Sequence, residues 1–317
     1  MDIDFDRPGK SVHRLVIGSG ADEFATGQIC VINNGPGPRV LVVAGVHGDE
    51  YEAQLALHRL VTQLELEAVR GRLIIIPEVN FPASSQGTRC APSDGLNMNR
   101  TFPGDPTGSP TQRLAAFLID TVLSQVDLVI DVHSGGPTYK GDPIVFGFTG
   151  PACKMSEAEL VRTMEAFGLP YVTHQDITAT TLVGAAVAVG TAAIELEGGG
   201  TTLIEGGSVD IFHQGLLRGL TYIGVLEGAP TGGSVSRHLN VRDQNMFETS
   251  MAGLLEHRVR MGQTVEPGDL LAVIHPFGGF ETEPHPIKAR APGIVISQRS
   301  LLRVAPGDCL GNTGTPR

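Results

Sequence analysis

Short apolar runs that alternate with amphipathic stretches limit this chain more than any other feature. Val40 to Ala44, Leu73 to Pro77, Leu128 to Val132, Ile144 to Phe148 and Ala192 to Leu196 read as strands. Between and after them, helical periodicity covers Tyr51 to about Leu64, Thr111 to Gln125, Ser156 to Phe167 and Val209 to Leu226. Continuous apolar strands separated by amphipathic helices are what a sheet covered on both faces requires. The pattern therefore predicts an α/β fold, with a mostly parallel or mixed sheet and helices on both faces. Upstream, Val12 to Ile17 and Gln28 to Ile32 read as an edge hairpin, followed by the breakers of Asn33 to Pro38.

Composition narrows the class. A chain of 317 residues, 41% of them hydrophobic, has ample material for a buried core. Its 23 Lys and Arg against 34 Asp and Glu give a net charge of −11. The chain as a whole repels nucleic acid and anionic lipid, so neither is expected as a partner, and a small anionic substrate needs a local basic pocket. The start, Met1 to Asp6, is acidic where a signal peptide needs positive charge, and no apolar stretch reaches spanning length. A soluble cytoplasmic enzyme is the default expectation. Cys30, Cys90, Cys153 and Cys309 lack CxxC spacing, which argues against a zinc knuckle or a disulfide framework and leaves them as plain thiols.

After Gly228 to Gly233 the composition shifts, and from about Met246 the chain reads as short strands punctuated by Gly and Pro. This divides it into residues 1–245, carrying the chemistry, and a small all-β, barrel-like module over 246–317. Val265 to Leu271 and Val304 to Leu310 repeat a V-x-P-G-D-x-L pattern that resembles the two halves of biotinyl and lipoyl carrier barrels. The turn that displays the modified lysine in those barrels is Pro276-Phe277-Gly278-Gly279 here, and Lys288, the nearest lysine, lacks the adjoining Met. Covalent carrier function is not expected.

The chemistry gathers at strand ends. Gly45-Val46-His47-Gly48-Asp49-Glu50 follows the first long strand and opens a helix, with His47 and Glu50 three positions apart. Zinc accepts imidazole and carboxylate donors together, and a catalytic site needs three protein ligands with one position open. The bland alternative is a glycine turn in which Glu50 merely favours the helix N-terminus. A second strand ends in Asp131-Val132-His133 before Ser134-Gly135-Gly136, so His133 arrives at the same sheet edge, and alternation puts Asp131 on its side. Asp131 either orients the imidazole or satisfies a loop backbone. A third strand carries Glu195 and Glu197 on one face before Gly198 to Gly200, where one of them suits a general base. The long aperiodic stretch from Val79 to Pro110 reads as functional, since it holds Arg89 and Asn97-Met98-Asn99-Arg100. His58, His174, His213 and His257 lack partners at ligand spacing in apparent helices or loops and read as structural or solvated. Asp49 stays unassigned.

Taken in order, the H-x-x-E of His47 and Glu50, the N-x-N-R-x-F-P-G run with Asn99 and Arg100, the D-x-H of Asp131 and His133, and the E-L of Glu195 and Leu196 resemble the succinylglutamate desuccinylase/aspartoacylase family, a branch of the zinc carboxypeptidase-like hydrolases. The resemblance spans roughly residues 40 to 225, and the C-terminal module looks like the one such proteins carry. It implies one zinc per chain on His47, Glu50 and His133, with Glu195 as the base. It implies Arg89 as the residue that polarises the scissile carbonyl, rather than Arg70 or Arg72, and Asn99 with Arg100 as a clamp for a substrate carboxylate. The implied activity is hydrolysis of the amide of an N-acylated amino acid or similar small amide; the role of the β module, a cap over the site included, stays open. A peptide-cleaving zinc carboxypeptidase is the rival within the class, and a non-catalytic binding or carrier module is the rival outside it. Acyl group, amine side chain and oligomeric state stay open, a homo-oligomer included.

Overall fold

The computed structural model describes residues 3–18, 23–174, 178–201, 203–204, 206–229, 231–241, 245–278 and 281–317. Gly279 and the side chain of His174 lie outside the described residues. In chain order the strands are β1 (Gly9–Ile17), β2 (Phe24–Asn34), β3 (Arg39–Ala44), β4 (Gly71–Ile76), β5 (Leu128–Val132), β6 (Tyr139–Phe148), β7 (Tyr171–His174), β8 (Ala192–Gly199) and β9 (Arg237–Asn240). They are followed by β10 (Met246–Glu248), β11 (Gly253–His257), β12 (Thr264–Val265), β13 (Leu270–His275), β14 (His285–Lys288), β15 (Gly293–Arg299), β16 (Arg303–Val304) and β17 (Cys309–Pro316). The helices are α1 (Tyr51–Gln63), α2 (Phe81–Ser84), α3 (Pro110–Phe117), α4 (Glu157–Ala166), α5 (Leu182–Ala188) and α6 (Ser208–Ile223).

One large sheet runs β1-β2-β4-β3-β5-β8-β6-β7-β9-β17-β15-β12. It is mixed. β4, β3, β5 and β8 pair in parallel, whereas β6 meets β8 antiparallel and β1 and β2 add the antiparallel edge hairpin that the sequence predicts. The apolar runs are continuous because both faces are covered. Val40, Val42, Ile130 and Ile194 pack with Leu57, Leu60 and Leu216 of α1 and α6. Leu41, Val43, Val129 and Ala193 pack with Leu114 of α3 and Leu182 and Ala186 of α5. Period-two alternation then puts Asp131, Glu195 and Glu197 on the α3/α5 face, the face of Val129 and Ala193.

Several elements differ from the sequence expectation: α2 lies inside the aperiodic stretch from Val79 to Pro110, and the helix expected over Thr111 to Gln125 is α-helical only to Phe117, then passes through a π turn at Leu118–Val122 and a 3-10 turn at Leu123–Gln125. β7 and α5 lie in a stretch with no strong period, and β8 runs past Glu197 through the expected glycine turn to Gly199. His257 stands in β11, not in a helix or loop, and its Nε2 faces the Arg299 carbonyl at 2.8 Å.

The C-terminal strands divide between two sheets. β14-β13-β11-β16 form a separate four-stranded sheet, while β15 and β17 extend the large one, and β15 also pairs with β6. Val265, Leu271, Val304 and Leu310 are buried in the core between them. The two V-x-P-G-D-x-L segments make the same turn. Asp269 accepts from the Glu266 N–H at 2.8 Å, and Asp308 accepts from the Ala305 N–H at 2.9 Å.

Candidate active site

The turn after β3 is shaped by close packing. Gly45 has φ +72, and a β-carbon there would lie 2.8 Å from Cα of Glu78. At Gly48 a β-carbon would lie 2.1 Å from the carbonyl carbon of Ala83, so α2 sits directly on the turn. Gly48→Ala is therefore expected to push α2 off and destabilise the fold by about 1–3 kcal/mol, the usual cost of overpacking. A denaturant midpoint equal to wild type would contradict this tight approach.

This turn delivers His47 and Glu50, and β5 delivers His133, all three buried. The Glu50 carboxylate lies between the two imidazoles, with His47 Nδ1 2.8 Å from Oε1 and His133 Nδ1 2.8 Å from Oε2. It also accepts from the Ser134 N–H at 3.2 Å and from Arg89 Nη1 at 3.0 Å. Glu50 stands at the N-cap position of α1 but makes no capping bond. Its carboxylate instead faces the two imidazoles, with Ser134 and Arg89 as donors.

The outer ring nitrogens meet oxygen acceptors. His133 Nε2 is 3.1 Å from Asp131 Oδ2, and His47 Nε2 is 3.1 Å from Asn97 Oδ1. The Asn97 orientation is fixed independently, because the same oxygen accepts from the Asn99 N–H at 2.9 Å. Each Nε2 must then carry its proton, and in the neutral imidazole each Nδ1 presents a lone pair to a carboxylate. Two lone pairs and a carboxylate that meet without an intervening proton or cation repel one another. A divalent cation relieves this, and the donor set of two imidazoles and one carboxylate suits zinc. His47, Glu50 and His133 have ligand atoms within 4.8 Å of one another.

Electrostatics agree with a site that wants positive charge. Burial works against ionisation of Glu50, but His133 and His47 outweigh it and draw the carboxyl well below the usual range. Burial likewise opposes the His133 cation, yet Asp131 and Glu50 hold its pKa well above the ordinary value. Burial pushes Glu195 up to about 7, with His133 opposing and Asp131 assisting, and pushes Glu197 up to about 8, with Glu50 assisting. Glu195 sits opposite Asp131 in the β5–β8 register, and its carboxylate falls within ligand reach of Asp131 and His133.

Beside these donors opens a cleft of about 360 Å³, lined by Glu50, Arg89, Glu195 and Glu197 on one side. Its other wall includes Met246, Ile296, Ser297, Cys309 and Asn312 from the C-terminal strands, which therefore do border the site. Arg70 and Arg72 are elsewhere: Arg70 pairs with Glu227, and Arg72 with Asp6 and Gln125. Asn99 and Arg100 are not in the cleft lining. Asn99 is buried, and its Oδ1 accepts from the Leu182 N–H at 3.0 Å. Arg100 is exposed and donates to the Asn99 carbonyl at 2.6 Å, with its charge close enough to lower Glu195. A larger hollow of about 530 Å³, beside Lys288 and Arg290, contains none of the converging donors.

Sequence reasoning missed two supports. Asn97 lay inside a motif already singled out, yet only the fold brings it to His47. Glu52 carried no signal: it is buried and accepts from Ser134 Oγ at 2.9 Å and from the Gly200 N–H at 2.8 Å, tying β5 and β8 to α1.

Comparison with known proteins agrees with this geometry. Residues 36–223 match the succinylglutamate desuccinylase/aspartoacylase catalytic domain. The chain is 33% identical to an N-alpha-acetyl-L-2,4-diaminobutyric acid deacetylase of Halomonas elongata, over 97% of this chain and 92% of that one. A succinylglutamate desuccinylase/aspartoacylase of Rhodobacter sphaeroides superposes with a TM-score of 0.91 at 33% identity, covering 100% of this chain and 99% of that one. The product-bound ectoine utilization protein EutE (DoeB) of Ruegeria pomeroyi gives 0.90 at 33% identity, over 99% and 97%. With the family domain spanning most of the α/β part and relatives matching nearly end to end, the chain belongs to the succinylglutamate desuccinylase/aspartoacylase family.

Proposed function

We propose that the protein is a zinc-dependent deacylase that hydrolyses the amide bond of a small N-acylated amino acid. The observation that carries this reading is the convergence of His47 Nδ1 and His133 Nδ1 on the Glu50 carboxylate, with both outer nitrogens already held. It is supported by membership of a family of amino-acid deacylases and by the Halomonas relative, named for deacetylating an Nα-acetyl amino acid. A single zinc on His47, Glu50 and His133 would supply an activated water and Lewis-acid polarisation of the amide carbonyl. The boundary near residue 245, with the β module as a cap, belongs to the same reading.

The chain's own groups then divide the work. Glu195, raised by burial toward neutral pH, takes the proton of the attacking water and passes it to the leaving amine. Arg89 lines the cleft beside Glu50, where its guanidinium meets the charge that develops on the carbonyl oxygen. Arg100 is exposed beside the site and suits a bidentate contact to the substrate carboxylate, and Asn99, whose oxygen is committed to Leu182, offers only amide hydrogens.

Metal analysis together with a panel of N-acetyl and N-succinyl amino acids set against short peptides tests the reading. Turnover of the acylated amino acids, with about one zinc per chain, is expected. Turnover of peptides alone would favour the carboxypeptidase reading, and a metal-free, inactive protein would overturn catalysis. Arg89→Ala should lower kcat by about 10²–10³, in the range of losing one oxyanion donor, with a smaller change in KM. Unchanged kcat with weaker binding would assign Arg89 to substrate holding instead.

A further inference from the structure

The larger hollow, of about 530 Å³, opens between β10 of the large sheet and β14 of the four-stranded one. Among the described residues β10 pairs only with β17 and β14 only with β13, so the hollow falls where sheet pairing stops. Phe247 and Ile287, both buried in the core of the C-terminal module, give it an apolar floor. His285, Lys288, Arg290 and Ser250 stand around that floor, and Glu248 is the one acid among the lining residues.

The cations here are placed against the habit of the rest of the chain. Lys288 and Arg290 are exposed on either side of the buried Ala289, so alternation sends both charges to one face, where they repel each other. Neither side chain, nor that of His285, has a hydrogen bond or ion pair with another described residue. Yet the chain has 34 Asp and Glu against 23 Lys and Arg, and elsewhere it spends them on its arginines, as in Arg39 with Asp127, Arg70 with Glu227 and Arg299 with Asp308. The Ser250 hydroxyl is also without a partner among the described residues, whereas the Thr249 hydroxyl is committed to the Met251 carbonyl at 2.9 Å. A concave surface lined by charges of one sign concentrates their field, and folding gains nothing from that.

We infer that this hollow is a second binding site, for a small organic anion that carries at least two negative charges on carboxylate or phosphate groups. The Arg290 fork suits a bidentate contact to either group, Lys288 supplies a point charge, and the Ser250 hydroxyl is a further donor. The carbon skeleton lies on Phe247 and Ile287. A single charge leaves one of the two cations unmatched, and the volume is within the range of small-molecule sites. The site is separate from the cleft but adjoins it, since β10 gives Met246 to the cleft and Phe247 and Glu248 to the hollow. The test therefore has to tell the two apart.

The test is calorimetric titration of the zinc-loaded full chain at fixed ionic strength, with glycerol 3-phosphate as the phosphate ester, tricarballylate as the polycarboxylate and acetate as the singly charged control. At least one of the first two should bind about tenfold or more tighter than acetate, and the tighter of them identifies the acid group. Replacing both cations, Lys288→Met with Arg290→Met, should weaken that binding by about 10–100-fold, the worth of a charge-assisted hydrogen bond. Arg260→Met, which removes an exposed charge outside the hollow, should leave it unchanged. If neither anion binds better than acetate, the site is overturned. It is overturned equally if the double variant binds as wild type does, or if binding is lost in Glu50→Gln and kept in the double variant, which puts the anion in the cleft. Should the double variant fail to fold, Lys288→Gln and Arg290→Gln singly decide by the same criterion. Binding is read without turnover, so the outcome is independent of the deacylase reading.

Discussion

Glu50→Gln is expected to bring bound zinc from about one per chain to near none, with turnover lost by more than about 100-fold, the upper end of what losing a mere supporting partner costs. The reason lies in what the carboxylate touches. It faces both Nδ1 atoms at 2.8 Å and accepts from Ser134 and Arg89. Glutamine keeps the volume and one acceptor oxygen but removes the charge and turns one donor atom into an N–H group. That group satisfies an imidazole lone pair, and the amide oxygen that remains is a neutral, far weaker ligand for a divalent cation than the carboxylate. The metal-free variant should therefore unfold close to metal-free wild type, which separates ligand loss from misfolding. Full zinc content in Glu50→Gln, by elemental analysis of the purified protein, would remove Glu50 from the ligand set.

The second large effect concerns the proton. Glu195→Gln should retain its zinc while kcat falls by about 10²–10⁴, the range for losing a general base, with KM little changed. Glu195 lies opposite Asp131 on neighbouring strands and within ligand reach of His133, and burial already lifts its carboxyl to about 7. A base poised near neutrality can both accept and release a proton in one cycle. If Glu195→Gln turned over normally while Glu197→Gln were dead, the two acids would exchange roles. Strand alternation alone does not separate them, because it points both the same way.

Period and sterics alone specify much of the sheet. The apolar runs through β3, β4, β5 and β8 specify a sheet covered on both faces, and alternation within β5 fixes the side of Asp131 and His133. The stretch from Val79 to Pro110 has no such period. Its order comes from capping and packing, with Asp94 accepting from Ser109 Oγ and from Thr111, and Met98 and Phe102 buried in the core. Those contacts depend on partners distant in the chain, so no local pattern announces them. The same applies to α5, whose start is held by the Asn99 side chain 83 residues away.

Local residue pattern specified the strand and helix alternation, the face on which the charged residues fall, and the two glycine turns that end β3 and β5. It did so because side-chain period and backbone sterics act over a few residues. Tertiary structure alone decided which nitrogen of each histidine faces Glu50, that Asn97 holds His47 and Glu52 ties β5 to β8, and which of three arginines reaches the cleft. It also brought the C-terminal strands to the cleft that Glu195 and Glu197 line. These outcomes depend on strand order and register, which bring together groups separated by tens to hundreds of residues, and no short-range pattern encodes that distance.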